Sequence, residues 1–494
     1  MKKLFLYVFL VLFTMSCGGN QKTFSRQIGE NSQSFYQGME ALHNFMLEDA
    51  RTYFSDILEK NSNCASCFLN LSFAEPDVVL KRTYLNQALS LSKENHPETQ
   101  LIQNALKALD NTDLSPFTGY LELYKNHPLD SYLAAGAFRE LQSQDKLQQG
   151  RNLLKQAAER TQKGHLYNLL AYSYMWYFDP ITPEYDQALE YLDQYISLEP
   201  MLANPLDSKG EFYLNKGDYE AAIRYYTQAS IQDPNFEWSK KNISLAKYQQ
   251  LFLDGNAKTM SFSSENAEAL NLFNLGRWNL YNLNWEQAVS DFSNAIDLDS
   301  SFAFAYLLRA RTNQFLNKEE RIVQDDLDAA QSFSINASLE ERNLIDAFIS
   351  DNTVGSTNFI QLSEELSDKY SDDSLLAFET VFATISIVGP ERVLERAKSL
   401  YEMNPSFTPS LNMIGYAYLR LENYDKAKNA FQEQIRSAPA SANPYDSMGD
   451  YYLAVKNDEL AFEYFKHSSK LGLSASSLKA DSLQVLINKK NEKF

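Results

Sequence analysis

The sequence predicts an all-α solenoid of stacked antiparallel helix hairpins, arranged as two similar tandem arrays. Three observations predict it. Within Thr408–Ser441, Leu411, Ile414, Gly415 and Tyr418 share one face of a first helix, Ala427 and Phe431 share a face of a second, and Pro439 follows. That spacing of small and bulky residues recurs along most of the chain. Gly (17) and Pro (14) are scarce in 494 residues, whereas Tyr (30) and Phe (31) are abundant, which suits helix pairs with large side chains between them. A single hairpin cannot bury its own apolar face, so copies must stack. Growth in one dimension also spares a long chain the usual division into several globular domains.

The local physics of Thr408–Ser441 is simple. Gly415 and Ala427 let two helix axes approach, Tyr418 and Phe431 fill the space around that contact, and Pro439 ends the second helix. The pattern resembles the tetratricopeptide repeat, W-x2-L-G-x2-Y…A-x3-F…P, with Leu411 where the pattern has Trp. The resemblance implies a TPR-like α-solenoid that serves as a generic binding scaffold.

From the N-terminus, Lys2 and Lys3 precede an unbroken apolar run, Leu4–Phe13, too short to span a bilayer comfortably. Thr14-Met15-Ser16-Cys17 follows. It resembles a bacterial lipoprotein signal, with Thr14 where Leu is usual and Cys17 as the lipidated first residue. That resemblance makes residues 1–16 a lipoprotein signal peptide. Gly18 after the cysteine, rather than Asp, implies sorting to the outer membrane. Residues 17–32 are polar and Gly/Ser/Gln-rich and read as a flexible tether.

The N-terminal array is expected over residues 33–254. Its hairpins begin with Gly38 opposite Ala50 and with Phe54 at the family offset. Less regular pairs follow around Pro76 and Pro128, then a hairpin whose loop is lengthened by Asp179–Pro183. Its last copy is near-complete, with Gly210, Tyr213, Ala222, Tyr226, Ala229 and Pro234. Residues 255–264, with Gly255 and a serine cluster, read as a joint. The C-terminal array is expected over 265–475, restarting at Gly276, Ala288 and Phe292. Residues 476–494 read as a capping helix whose Lys-rich end suits its dipole. The blocks correspond in order: Gly38/Ala50/Phe54 with Gly276/Ala288/Phe292, Asp130-Ser131 with Asp373-Ser374, and Asn204-Pro205 with Asn443-Pro444. A tandem duplication follows. Asn204 and Asn443 read as helix caps, each with Pro next and Asp three residues on.

Composition and motifs exclude several functions. The net charge of −19 argues against nucleic acid as a partner and against bare attraction to anionic lipid. No phosphate loop, dinucleotide fingerprint, nucleophile elbow or H-E-x-x-H is present, and the five histidines are dispersed. Neither a catalytic centre nor a cofactor or metal site is expected. Cys64-Ala65-Ser66-Cys67 lacks the βαβ context of a thioredoxin-like motif and further zinc ligands. It reads as a possible disulfide or packed thiols, with a thiol-redox role as a lesser alternative.

What remains is surface. The first helices of successive hairpins line a concave face, where Tyr172, Trp176, Glu211, Phe273, Arg277, Tyr281, Arg311, Arg420 and Asp450 are the candidate groove residues. The expected function is a lipid-anchored scaffold or adaptor of the bacterial cell envelope. Its expected partner is a protein or peptide, with the membrane reached through the anchor. The alternative is a glycan- or nutrient-binding surface lipoprotein resembling the SusD type; such proteins add a long non-repeat region that this sequence lacks.

Overall fold

The computed structural model describes residues 32–491 except 45, 95, 112, 176–183, 352–356 and 385–388. The signal peptide and Cys17, the tether, Trp176 and the Asp179–Pro183 loop thus lie outside the described residues. Those described form 26 α-helices, one 3-10 turn and no strand. The chain separates into two units, Met1–Phe236 and Glu237–Phe494. Each unit holds six consecutive hairpins. In the first they run from Ser32–His43 with Leu47–Lys60 to Asn204–Lys216 with Tyr219–Gln232. In the second they run from Ala267–Tyr281 with Trp285–Leu298 to Ala442–Ala454 with Asp458–Lys470, and Ser474–Asn491 follows.

The hairpin's defining contact differs in detail from the expected meeting of two small residues. A Cβ on Gly415 would lie 2.3 Å from the ring of Phe431. The same relation, an aromatic ring seated on a glycine sixteen positions earlier, joins Phe54 to Gly38, Tyr226 to Gly210, Phe292 to Gly276 and Phe465 to Gly449. All five rings are fully buried. The glycine therefore makes room for the aromatic of the second helix, while Ala427 and its counterparts close the remaining gap. The turn inside many hairpins uses one residue with positive φ, as at Gly217, Leu283, Asn317, Glu422 and Lys456.

Asp77, Asp130 and Asn266 cap their helices through side-chain oxygens. Asn204 and Asn443 do not cap, contrary to expectation. Each lies within the first turn, where Asn204 donates to the Tyr195 hydroxyl (2.9 Å) and Asn443 accepts from Asn412 (3.3 Å). Asp446 likewise does not reach back to a cap. It accepts from Ser476 (2.6 Å) and Lys479 (2.9 Å) on the terminal helix. These polar residues tie successive hairpins together, a role that resembles a cap only in sequence.

The segment between the arrays also departs from expectation. Helix Glu237–Leu253 belongs to the second unit. Its Tyr248 hydroxyl bonds the Asp372 carbonyl (3.1 Å) and Ser374 (3.2 Å). The stretch that follows is no joint. It lies across the first helices of four hairpins of its own unit.

Candidate functional site

In the second unit, residues 257–264 run as a strap without helical structure. Carboxylates of the hairpins hold its backbone. The Lys258 N–H donates to Asp372 (2.8 Å), the Met260 N–H to Asp373 (3.3 Å) and the Ser263 N–H to both oxygens of Glu341 (3.0 and 3.1 Å). The Ser263 hydroxyl also donates to Glu341. Extended backbone has no internal partners for its N–H groups, so a half-buried strap gains from such acceptors. Between these bonds Met260 is buried, and the Phe262 ring packs on Phe273 (4.8 Å between centroids) and Phe304 (5.2 Å) beneath the Arg277 guanidinium (4.8 Å). The residual cavity there is about 20 Å³, room for roughly one water.

The floor of this site is ionic as well as apolar. Arg311, 1% exposed, pairs with Glu379, and Arg277 faces Asp373 at 3.6 Å. Burial pushes the Glu379 carboxyl up to about 8, opposed by the neighbouring Arg277 charge. The Arg311 guanidinium lies against the Phe315 and Phe382 rings and gives one nitrogen to Glu379, while its Nε and Nη2 are buried without a hydrogen-bond partner.

The first unit has a groove built from the corresponding helices, Ser32–His43, Ala65–Ala74, Pro97–Asp110 and Ser131–Ser143. Here it encloses a cavity of about 410 Å³. Position by position the two sites match. Phe35, Leu42 and Leu69 stand 238 residues before Phe273, Leu280 and Leu307, and Glu98, Leu101, Asp130 and Leu133 stand 243 before Glu341, Leu344, Asp373 and Leu376. Where the second unit has Phe304, Phe348 and Glu379, the first has Ser66, Ala105 and Gly136. Ser66 donates to Glu98, whose carboxyl is raised chiefly by burial. Behind the cavity His43, Tyr132 and His165 stack at 5.1–5.5 Å. Burial holds His43 well below the usual imidazole range and lowers His165 to about 3, with neighbouring positive charge adding to both.

Four of the nine candidate groove residues come together around the strap: Arg277, Tyr281 and Arg311 line the residual cavity, and Phe273 packs on Phe262. Tyr172 donates to Glu211 on the next hairpin, and Tyr416 donates to Asp450 (2.8 Å) in the same way. Asp450 also holds Lys479 (3.0 Å), and Arg420 is exposed at its helix end. Cys64 and Cys67 are joined as a disulfide at the start of helix Ala65–Ala74. Sequence reasoning missed the strap and its acceptors Glu341, Asp372 and Asp373. One signal could have found it: Met260-Ser261-Phe262-Ser263 alternates apolar with polar, as an extended half-buried segment does. Among the described residues no cluster of three His, Cys, Asp or Glu could hold a metal, and no helix is long and apolar enough to cross a membrane.

No curated protein matches this chain. Among solved structures it is similar to yeast Tom70 at 16% identity, covering 93% of this chain and 96% of that one, with a TM-score of 0.29. A chain of the APC/C hetero-tetramer Cut9-Hcn1 gives 13% over 92% of this chain and 96% of that one, with a TM-score of 0.29. PilW, a type IV pilus biogenesis factor, gives 18% over 45% and 99%, with a TM-score of 0.28. Neither these identities nor the TM-scores lend this chain a partner or a role. The tetratricopeptide repeat models match residues 206–237 and 408–441. Those two stretches are tetratricopeptide repeats, set in an all-α solenoid of like hairpins.

Proposed function

We propose that this chain is a lipid-anchored scaffold of the bacterial cell envelope that recruits a protein partner by binding an extended peptide or a helix on the first-helix face of its hairpins. One observation carries the peptide-binding part: in the second unit that face already holds an extended segment, through carboxylates on its N–H groups and an apolar bed for Met260 and Phe262. This is how a groove recognises a strand-like peptide, with backbone bonds for affinity and alternate side chains for specificity. The net charge of −19 favours a partner that is neutral or basic around its binding segment. The anchor reading rests on the residues around Cys17, and the outer-membrane address on Gly18.

Crosslinking in native envelopes followed by mass spectrometry is the test. The expected result is one protein recovered reproducibly, with crosslinks mapping to first helices. Recovery of no reproducible partner overturns the scaffold. Separately, Cys17→Ser is expected to move the protein from the membrane to the soluble fraction; unchanged membrane association overturns the anchor.

A further inference from the structure

The two grooves share their architecture but not their contents, and the sequence supplies the missing piece. Ser261-Phe262-Ser263 of the strap stands 238 residues after Thr23-Phe24-Ser25. That is the register that pairs Phe35 with Phe273, and in both units eleven residues separate the strap phenylalanine from this first-helix phenylalanine. The strap's acceptor Glu341 has its counterpart in Glu98, and Asp373 has its counterpart in Asp130; both counterparts line the cavity of about 410 Å³. We propose that this cavity is the seat of the chain's own segment Gln21–Arg26, with Phe24 in the apolar bed of Phe35, Leu69, Phe73 and Leu101 and with Ser25 on Glu98.

Size and chemistry fit. A cavity whose lining is mostly apolar accepts a phenylalanine without a stranded polar group. Ser66 and Ala105, in place of Phe304 and Phe348, leave more space than one ring fills, while the room made at Gly136 is taken by the Tyr120 ring. Lys22 stands where the other strap has Met260, so the first unit's occupant is held by one apolar side chain instead of two and is the more weakly bound. A partner peptide carrying an aromatic residue followed by serine competes for the same bed. With Cys17 lipidated, as proposed above, a seated Phe24 leaves seven residues between lipid and cavity, a span of at most about 25 Å. Seating then holds this unit close to the membrane surface, and release by a partner lets it move away. The seating itself does not depend on the identity of any partner or on lipidation.

The experiment is hydrogen exchange on the full chain, wild type beside Phe24→Ala and Glu98→Gln, with a synthetic peptide of residues 257–264 as a probe added in trans. Amides of Phe24 to Arg26 are expected to exchange at least tenfold more slowly than in a free peptide. Both substitutions are expected to abolish that protection while leaving exchange in Ala267–Ala454 unchanged. The probe is expected to bind Phe24→Ala at least tenfold more tightly than wild type. Free-peptide exchange of these amides in the wild type overturns the proposal. Equal probe affinity for wild type and Phe24→Ala overturns it as well, and assigns the open cavity to an external peptide.

Discussion

The two units build the same groove and finish it differently. In the second, a strap, a buried Arg311–Glu379 pair and large side chains such as Phe304 and Phe348 leave room for about one water. In the first, small residues at the equivalent positions leave a cavity of about 410 Å³ backed by a stack of two histidines and a tyrosine. The repeat supplies a frame that tolerates either finish. Its glycine–aromatic contact lies between the helices of one hairpin, whereas the groove is lined mainly by first helices, with Leu47, Leu85 and Tyr120 added from second helices. After duplication most groove positions could therefore diverge without touching that contact.

The largest way to break the comparison lies in the second unit's ionic floor. Arg311→Met leaves the Glu379 carboxyl, which burial pushes up to about 8, without its hydrogen-bond partner. The expected loss is about 1–3 kcal/mol, read by urea unfolding at neutral pH, with hydrogen exchange assigning it to Ala303–Thr384. Arg311→Met combined with Glu379→Leu is expected to recover most of it, because replacing both groups leaves no buried polar group unpaired. A single-variant loss below about 1 kcal/mol contradicts the enclosed pair.

Acid separates the units next. His165 is lowered to about 3 and His43 is lowered in the same direction, both first by burial. A histidine depressed in the folded state stays neutral there but takes up a proton on unfolding below about 6.5. Its contribution is thus present above the unfolded value and is lost as pH falls through it. For His165 the loss is roughly 2 kcal/mol by pH 5, with His43 adding to it. Protection factors, which refer exchange rates to those of the free amides at each pH, are expected to fall in Ser131–Ser173 between pH 6.5 and 5 well before those of Ala267–Phe315. His165→Phe, which keeps a ring against Tyr132, is expected to flatten that acid limb.

Phe262→Ala tests whether the strap is bound or merely adjacent. Phe262 is half-buried, so the expected loss is about 2 kcal/mol, below the range for a fully buried ring. Exchange at Lys258, Met260 and Ser263 is expected to quicken, since their N–H groups are held by Asp372, Asp373 and Glu341. Unchanged exchange at these amides removes the model for peptide recognition on which the scaffold reading relies.

Much of this was legible in the sequence, and the remainder was hidden for identifiable reasons. The spacing of Gly415, Ala427 and Phe431 predicts the hairpin because close helix packing constrains residue size at fixed offsets. The groove is less legible because it depends on residues distant in sequence. Glu341 meets Ser263 across 78 positions and Arg311 meets Glu379 across 68. The strap was obscured by its own composition. Gly255 and serines mark a loop, and only the alternation of Met260 and Phe262 marks a bound strand. Asn443 misleads for a related reason: Asn followed by Pro is a good helix start, yet its amide is used by Asn412 on the neighbouring hairpin.

The smallest expected effect sharpens the comparison most. Ala105→Phe gives the first unit the ring that its counterpart has at Phe348. In a close-packed core such an enlargement costs about 1–3 kcal/mol through strain. Here the side chain points into a cavity of about 410 Å³, so the strain has somewhere to relax and new apolar contact offsets what remains. Stability is expected to change by less than about 1 kcal/mol while the cavity shrinks, so that an added apolar peptide binds at least tenfold more weakly. The reverse change, Phe348→Ala, removes a ring that is 1% exposed and packed on Phe359, and is expected to cost about 3–5 kcal/mol. Inverse substitutions at one position of a duplicated frame thus differ severalfold in cost. That asymmetry measures how far one groove is finished and the other left open. Equal costs for the two, read by urea unfolding, would mean that the first cavity is already filled by side chains from its own hairpins.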